Sequence, residues 1–335
     1  MIDQRLLPGE LVNIWLEDHH QVANAITDMV VRGAPAIGAT AAFGLALAAQ
    51  NSTTTDRSEF DKELRAAADV LRKARPTAAN LGWALDRMLK IISHSKGESG
   101  KLRNDLLVEA QTIADQDVEI NQRMAEHGAA LIDSGEKVIH HCNTGALATV
   151  DWGTALGVIR TAHEQGKAIH VYLDETRPRL QGARLSAWEL DQYGVEYDII
   201  SDNAAGYFLS IGEIDKVFVG ADRVASNGDV ANKIGTYMLA LAARDNNIPF
   251  YAVVPTSTID LSLTNGNQIP IEERNAEEVL DIQRNGSPLS PEGATARNPA
   301  FDITPHRLVT AIVTENGIAA PPYNKSLQKA VRGEL

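Results

Sequence analysis

The stretch from Val138 to Thr149 reads VIHHCNTGALAT and decides how the rest of the chain is read. An apolar pair, Val138 and Ile139, runs into two histidines and the only cysteine, Cys142. Asn143, Thr144 and Gly145 follow, and then a segment of helical composition. This is the form of a parallel strand that stops at the carboxyl edge of a sheet and turns into a helix. In open α/β sheets that edge is where ligands bind. A lone cysteine there is either a small buried hydrophobe or a group with a chemical role. His140 and His141 alternate in direction along the strand, so at most one shares a face with Cys142. That speaks against a His/Cys metal site.

Downstream, short apolar runs alternate with helical spacing. Strands are expected at 168–174, 195–201, 216–222, 250–255 and 308–315. Helices are expected at Ala146–Glu164, Gln181–Tyr193, Ala204–Ile211 and Lys233–Asn246. That alternation implies a parallel sheet with covered faces. The loop-rich, charged segment Asn265–Ala300 is expected over the sheet edge. Upstream the pattern is helical, with segments at Gln21–Val31, Ala36–Ala49, Ser58–Lys73, Ala78–Ile92 and about Asn104–Asp133. A strand-like piece, LVNIWLE (11–17), precedes them. The fold class is therefore α/β: a small, mostly helical N-terminal domain over 1–125 and a sheet-based domain over 126–335. No internal repeat interrupts either part.

Composition narrows the partners. A net charge of −13 over 335 residues argues against binding nucleic acid through its phosphates. It leaves room for a small phosphorylated substrate, which needs only a few local cations. One cysteine excludes a disulfide framework and a Cys-rich zinc site. The alanine-rich run Ala34–Ala49 is too short to span a bilayer comfortably. With no basic-then-apolar leader at the start, the chain reads as cytoplasmic.

Arg32-Gly33-Ala34 precedes a helix whose first N–H groups lack partners, with Pro35 suited to the first turn. Such an end, with an arginine fork beside it, is either an anion site or an ordinary helix turn with a surface arginine. Arg75-Pro76-Thr77 repeats the arrangement, and two arginines at two helix starts strengthen a phosphate clamp. Asp222 ends the run 216–222, as Cys142 ends its own. If their strands are neighbours, carboxylate and thiol meet on one edge as an acid/base pair. Otherwise Asp222 caps a turn or pairs with Arg223. After the turn signal Asn227-Gly228-Asp229, Asn232 and Lys233 open a helix, with Lys233 either reaching a substrate or solvated. Gln181 starts another helix after the charged loop 174–178. Neither a metal nor a nicotinamide is required, and no G-x-G-x-x-G follows a strand.

Several motifs resemble those of one family: RGAPAIG (32–38), HCNTGALAT (141–149), DETRPRLQGARL (174–185), GADRV (220–224), IPIEERNAEEV (269–279) and NPAFDITP (298–305). It is the methylthioribose-1-phosphate isomerase family, related to the regulatory subunits of eukaryotic initiation factor 2B. The likeness runs over nearly the whole chain in unbroken order. The chain opens at what resembles the family's IDQ-x-LLP element, so a short leading strand is expected to be missing. The resemblance implies a Rossmann-like C-terminal domain, substrate held between the domains, and a homodimer. It implies interconversion of 5-methylthio-α-D-ribose 1-phosphate and 5-methylthio-D-ribulose 1-phosphate in methionine salvage, with no cofactor. Cys142 and Asp222 then resemble the catalytic pair, Asp222 as proton donor. Arg32, Gly33, Ala34, Arg75, Gln181, Asn232 and Lys233 resemble substrate contacts. The rival readings are an isomerase of 5-deoxyribose 1-phosphate or ribose 1,5-bisphosphate, and a non-catalytic assembly subunit.

Overall fold

Small residues set the packing of the first unit, which comprises Met1–Ile120 and Ala146–Gly153 of a computed structural model describing residues 1–76, 78–95 and 97–335. Its helices are α1 (His19–Thr27), α2 (Ala34–Asn51), α3 (Arg57–Ala74), α4 (Ala79–His94) and the start of α5 (Ser99–Ala129). Asp18 and Asp56 cap α1 and α3 by accepting from Gln21 N and Glu59 N. Helix α2 is the central one. A Cβ at Gly44 would come within 2.8 Å of Val22 Cγ1 and 3.0 Å of Leu71 Cδ2, so α1 and α3 close directly on its backbone. One apolar core, with Ile37, Leu45, Phe60, Leu71, Leu85 and Met88 at its centre, joins α1 to α4 and the start of α5.

Two expectations fail in this unit. LVNIWLE forms no strand; only an isolated antiparallel bridge joins Ile2 and Asn13. Helix α1 ends at Thr27 instead of Val31, because Met29 at φ 55° turns the chain and Val30 N closes back on Ala25 O.

The second unit comprises Asn121–Gly145 and Thr154–Leu335. In chain order it contains β1 (Lys137–His140), α6 (Ala155–Glu164), β2 (His170–Asp174), α7 (Ala187–Tyr193), β3 (Glu196–Ile200), α8 (Ala205–Ser210), β4 (Lys216–Val219), β5 (Arg223–Ala225), β6 (Val230–Lys233) and α9 (Thr236–Asp245). Then come β7 (Phe250–Val253), β8 (Ile259–Asp260), α10 (Glu277–Leu280), β9 (Gln283–Arg284), β10 (Ser287–Pro288), β11 (Phe301–Thr304), β12 (Ala311–Thr314), β13 (Gly317–Ala319) and α11 (Tyr323–Arg332). Seven strands form the main sheet in the order β13-β12-β7-β4-β1-β2-β3. All its pairings are parallel except β12 with β13, so the expected α/β architecture is borne out. The central strands β1, β4 and β7 are buried on both faces, as strands covered by helices on each side must be. A second sheet, β11-β6-β5-β8, grows out of the connection after β4.

Several expected helices are shorter or interrupted. Ala146–Glu164 is a single 3₁₀ turn at Ala146–Ala148 and then α6, separated by a kink at Trp152 (φ 72°) and Gly153 (φ 91°). Gln181–Tyr193 opens with a π-turn at Gly182–Ser186, in which Ala187 N donates to Gly182 O, before α7. Lys233 does not open a helix: Asn232 and Lys233 end β6, paired with Asp302 and Phe301 of β11. Asp222 lies past the end of β4, which stops at Val219. No helix among the described residues is long and apolar enough to cross a membrane.

Candidate active site

Strand order reverses between β1 and β4, since β2 and β3 continue on one side of β1 while β4 and β7 lie on the other. In doubly wound sheets such a reversal opens a crevice beyond the carboxyl ends of the two strands. Cys142 comes two residues after β1 and Asp222 three residues after β4, and these strands are direct neighbours. The condition attached to the carboxylate and thiol is therefore met. The two differ in environment: Cys142 is buried, whereas Asp222 is exposed.

The backbone of Cys142 is left-handed, with φ 71°, a conformation that costs a residue bearing a Cβ roughly 1–2 kcal/mol. Both of its backbone groups are held. Its N–H donates to Thr176 Oγ1 at 2.8 Å, and its carbonyl accepts from Ser186 Oγ at 2.8 Å. Asn143 Nδ2 donates to Glu189 Oε1 at 2.7 Å, and a Cβ at Gly145 would sit 2.2 Å from Glu189 Oε2. The turn after β1 is thus fitted around a buried carboxylate. The π-turn delivers Ser186 and carries Gln181 at its start. Gln181 is buried, and its Oε1 has no hydrogen-bond partner among the described residues. A buried acceptor of this kind is open to a hydrogen bond from water or from a ligand hydroxyl.

The two histidines divide as their alternation requires. His140 Nδ1 faces Phe218 O at 2.9 Å, and burial pushes its pKa down to about 4, which keeps it neutral. His141 points the other way, between Asp174 Oδ2 at 2.7 Å and Ile234 O at 3.0 Å. His141, Asp174 and Asp202 form the one described group of potential metal-ligating side chains. Both ring nitrogens of His141 are engaged, and Asp202 accepts from the N–H groups of Thr176 and Arg177. His141 and Asp202 are thus committed to neighbouring groups, while Asp174 Oδ1 has no partner among the described residues.

Asn232 and Lys233 are buried at the end of β6. Asn232 Nδ2 donates to Thr236 Oγ1 at 3.0 Å. Lys233 Nζ donates to Ala300 O at 2.9 Å and lies 4.5 Å from the centroid of the Phe301 ring. Asp302 accepts from Gly235 N and Tyr237 N, capping α9 from 65 residues away in the chain. Burial raises the pKa of Asp302, against the pull of those two amides, His141 and Lys233.

Arg32, Gly33, Ala34 and Arg75 belong to the first unit. Gly33, at φ 97°, is the N-cap of α2, and a Cβ there would overlap the Ala148 carbonyl at 2.1 Å. Neither Gly33 nor Ala78, the N-cap of α4, supplies a side-chain cap. The two helix starts adjoin, since a Cβ at Gly38 would come within 3.0 Å of Asn80 O. Arg32 and Arg75, each partly buried, therefore precede two neighbouring helix N-termini. Pro76 lies outside α4 and does not lead it, and Thr77 lies outside the described residues.

Sequence reasoning missed Thr176, Ser186, Glu189 and Asp302. Asp302 and Thr176 fall inside long motifs, which was the only signal for them. The others act across folds of the chain that no local spacing announces.

The Initiation factor 2 subunit family model matches residues 30–321. A methylthioribose-1-phosphate isomerase from Synechococcus sp. is 54% identical over 331 residues, covering 99% of this chain and 94% of that protein. Among solved structures, 5-methylthioribose 1-phosphate isomerase from Pyrococcus horikoshii OT3 superposes with a TM-score of 0.94 at 47% identity, covering 99% of this chain and 92% of the other. A structure of translation initiation factor eIF-2B, subunit delta, from A. fulgidus gives a TM-score of 0.90 at 42% identity, covering 99% and 96%.

Proposed function

We infer that this chain, which belongs to the initiation factor 2 subunit family and within it to the methylthioribose-1-phosphate isomerases, interconverts 5-methylthio-α-D-ribose 1-phosphate and 5-methylthio-D-ribulose 1-phosphate. The reaction is internally balanced: C2 is oxidised to a ketone while C1 gains the hydrogen that C2 loses. No external oxidant is consumed.

The anomeric phosphate blocks spontaneous ring opening, so the ring C–O bond must be broken with the phosphate in place. We assign Asp222 the proton delivered to the departing ring oxygen and Cys142 the assistance at C2. The observation that carries this is their position at the ends of β1 and β4, on either side of the reversal in strand order. Asp222 is exposed, so bound substrate has to cover it during the ring-opening step. Arg32 and Arg75, with the N–H groups of Gly33 and Ala34, take the phosphate. Gln181, Asn232 and Lys233 take the sugar hydroxyls. A thiol in this role has to stay reduced, which fits a cytoplasmic setting. The working form is a homodimer, supported by the exposed apolar side chains Tyr207, Ile211, Met238 and Leu241 on and beside α8 and α9.

A second reading, a non-catalytic assembly subunit, is raised by the likeness to the A. fulgidus protein. An assembly subunit has no use for a cysteine held in a left-handed conformation by two buried hydroxyls. Turnover of methylthioribose 1-phosphate by the purified chain decides between them. Activity toward ribose 1,5-bisphosphate or 5-deoxyribose 1-phosphate in preference to it would shift the substrate instead.

A further inference from the structure

We propose that Thr176 is a positioning residue for Cys142, a role that rests on the catalytic part assigned to Cys142 above. Thr176 is fully buried and β-branched, yet it adopts φ 62°. A left-handed β-branched residue is a steric outlier that persists only where its surroundings over-determine it. Here they do. Its N–H donates to Asp202 Oδ1 at 2.6 Å, and the next N–H, of Arg177, donates to Asp202 Oδ2 at 2.7 Å. Its hydroxyl donates to Asp174 O at 3.0 Å, leaving an oxygen lone pair that accepts from Cys142 N at 2.8 Å.

Two left-handed residues with side chains thus face each other through one hydrogen bond. The donor direction is fixed: the Thr176 proton is committed to Asp174, so the oxygen meets Cys142 N as an acceptor. Without that oxygen the Cys142 amide is a buried donor with no partner, and the left-handed turn loses one of its two holds. The remaining hold, from Ser186, fixes the carbonyl side only. The thiol then shifts relative to the sheet edge, while the Thr176 carbonyl, which still accepts from Leu180 N, keeps the turn that carries Gln181. The loss therefore falls on the chemical step and spares binding.

The test compares Thr176→Val, Thr176→Ser and Cys142→Ser in steady-state kinetics, alongside methylthiolation of the thiol. Since Cys142 is the only cysteine, the modification reports on it alone. Thr176→Val is expected to lower kcat by on the order of 10²-fold with KM nearly unchanged, and to alter the modification rate. Thr176→Ser, which restores the hydroxyl, is expected to recover most of both. If circular dichroism finds Thr176→Val unfolded, Thr176→Ala removes the same hydroxyl without adding a methyl and is read in its place. A wild-type kcat in the hydroxyl-less variant, with Cys142→Ser inactive, overturns the proposal. So does a Thr176→Ser as impaired as Thr176→Val. Should Cys142→Ser itself keep the wild-type rate, the role of Cys142 falls, and that of Thr176 with it.

Discussion

The Nδ1 of His141 lies 2.7 Å from Oδ2 of Asp174, and both side chains are 1% exposed. The other ring nitrogen meets the Ile234 carbonyl, which only accepts, so Nε2 carries a proton and a second proton lies between ring and carboxylate. The pair ties the strand end before Cys142 to the turn after Lys233.

That arrangement predicts a pH-dependent stability. Burial opposes a charged ring, but the Asp174 hydrogen bond and the charges of Asp174 and Asp202 outweigh it, so the His141 pKa is raised. Unfolded, the ring gives up its proton near ~6.5. Folded, it keeps the proton to higher pH, so the native state binds more protons over that interval. His141's contribution is therefore complete below ~6.5 and is lost as pH climbs through its folded value, while Asp174, pushed up to about 6 by burial, extends the same direction of change to lower pH. Asp174→Asn is expected to cost on the order of 3 kcal/mol at slightly acid pH. The gap in thermal midpoint from wild type should narrow as the pH is raised toward about 9. A gap constant over that range rejects a proton-holding pair.

Cys142 sets activity against stability. Cys142→Ser keeps the left-handed turn and removes the thiol, and turnover should drop by at least about 10²-fold with the fold intact. Cys142→Gly also removes the thiol but relieves a left-handed strain of roughly 1–2 kcal/mol, against lost side-chain packing and about 0.5–1 kcal/mol of added chain entropy. Its melting midpoint should stay within about 3 °C of wild type. A glycine variant far less stable than the serine variant would mean that the thiol is held for packing.

How much of this the sequence disclosed depended on the range over which each feature acts. β1, β2, β4, β7 and β12 were legible because central parallel strands are buried on both faces and so mostly apolar. Cys142 and Asp222 were legible because a strand's end carries its own punctuation. The start of α9 was misread at Lys233 because the residues that decide it, Phe301 and Asp302, are distant in the chain: they draw Asn232 and Lys233 into a sheet and cap the helix in their place. The break at Trp152 and Gly153 is carried by positive φ angles that composition does not reveal. The hold on Cys142 comes from Thr176 and Ser186, 34 and 44 residues away, and only the folded chain brings them there.

Gln181 is expected to separate binding from stability. Its buried Oε1, without a partner among the described residues, costs the fold about 1–3 kcal/mol. Gln181→Met keeps the length of the side chain and removes that acceptor. Stability should hold or rise, while KM climbs by about tenfold, the worth of one hydrogen bond to a sugar hydroxyl. A clear loss of stability with an unchanged KM would make Gln181 a structural residue.

The two arginines should act on the phosphate. Arg32→Ala and Arg75→Ala each remove a charged donor beside an uncapped helix start, and each should raise KM by about 10–100-fold with a smaller effect on kcat. Inorganic phosphate should compete with substrate in the wild type and lose its effect in the variants. Unaltered KM in both variants would assign the phosphate elsewhere.

How hydrogen leaves C2 is open to a direct measurement. An enediol route parks the proton on a side chain, where it exchanges with water before reaching C1; a hydride route carries it across and keeps it. Cys142 is buried, which disfavours a charged enolate beside it, although a fixed cation such as Lys233 can offset that cost. Asp222, being exposed, is suited to trading protons with water during ring opening but adds nothing to shield C2. The expected outcome is hydride transfer, with Asp222 confined to the ring oxygen. Isomerisation in deuterated water, stopped at low conversion, should then give a ketose with almost no deuterium at C1. Substantial deuterium at C1 would reject hydride transfer and make Cys142 the base that takes the C2 proton. Cys142→Ser, assayed in the same way, should in that case lose label and turnover together.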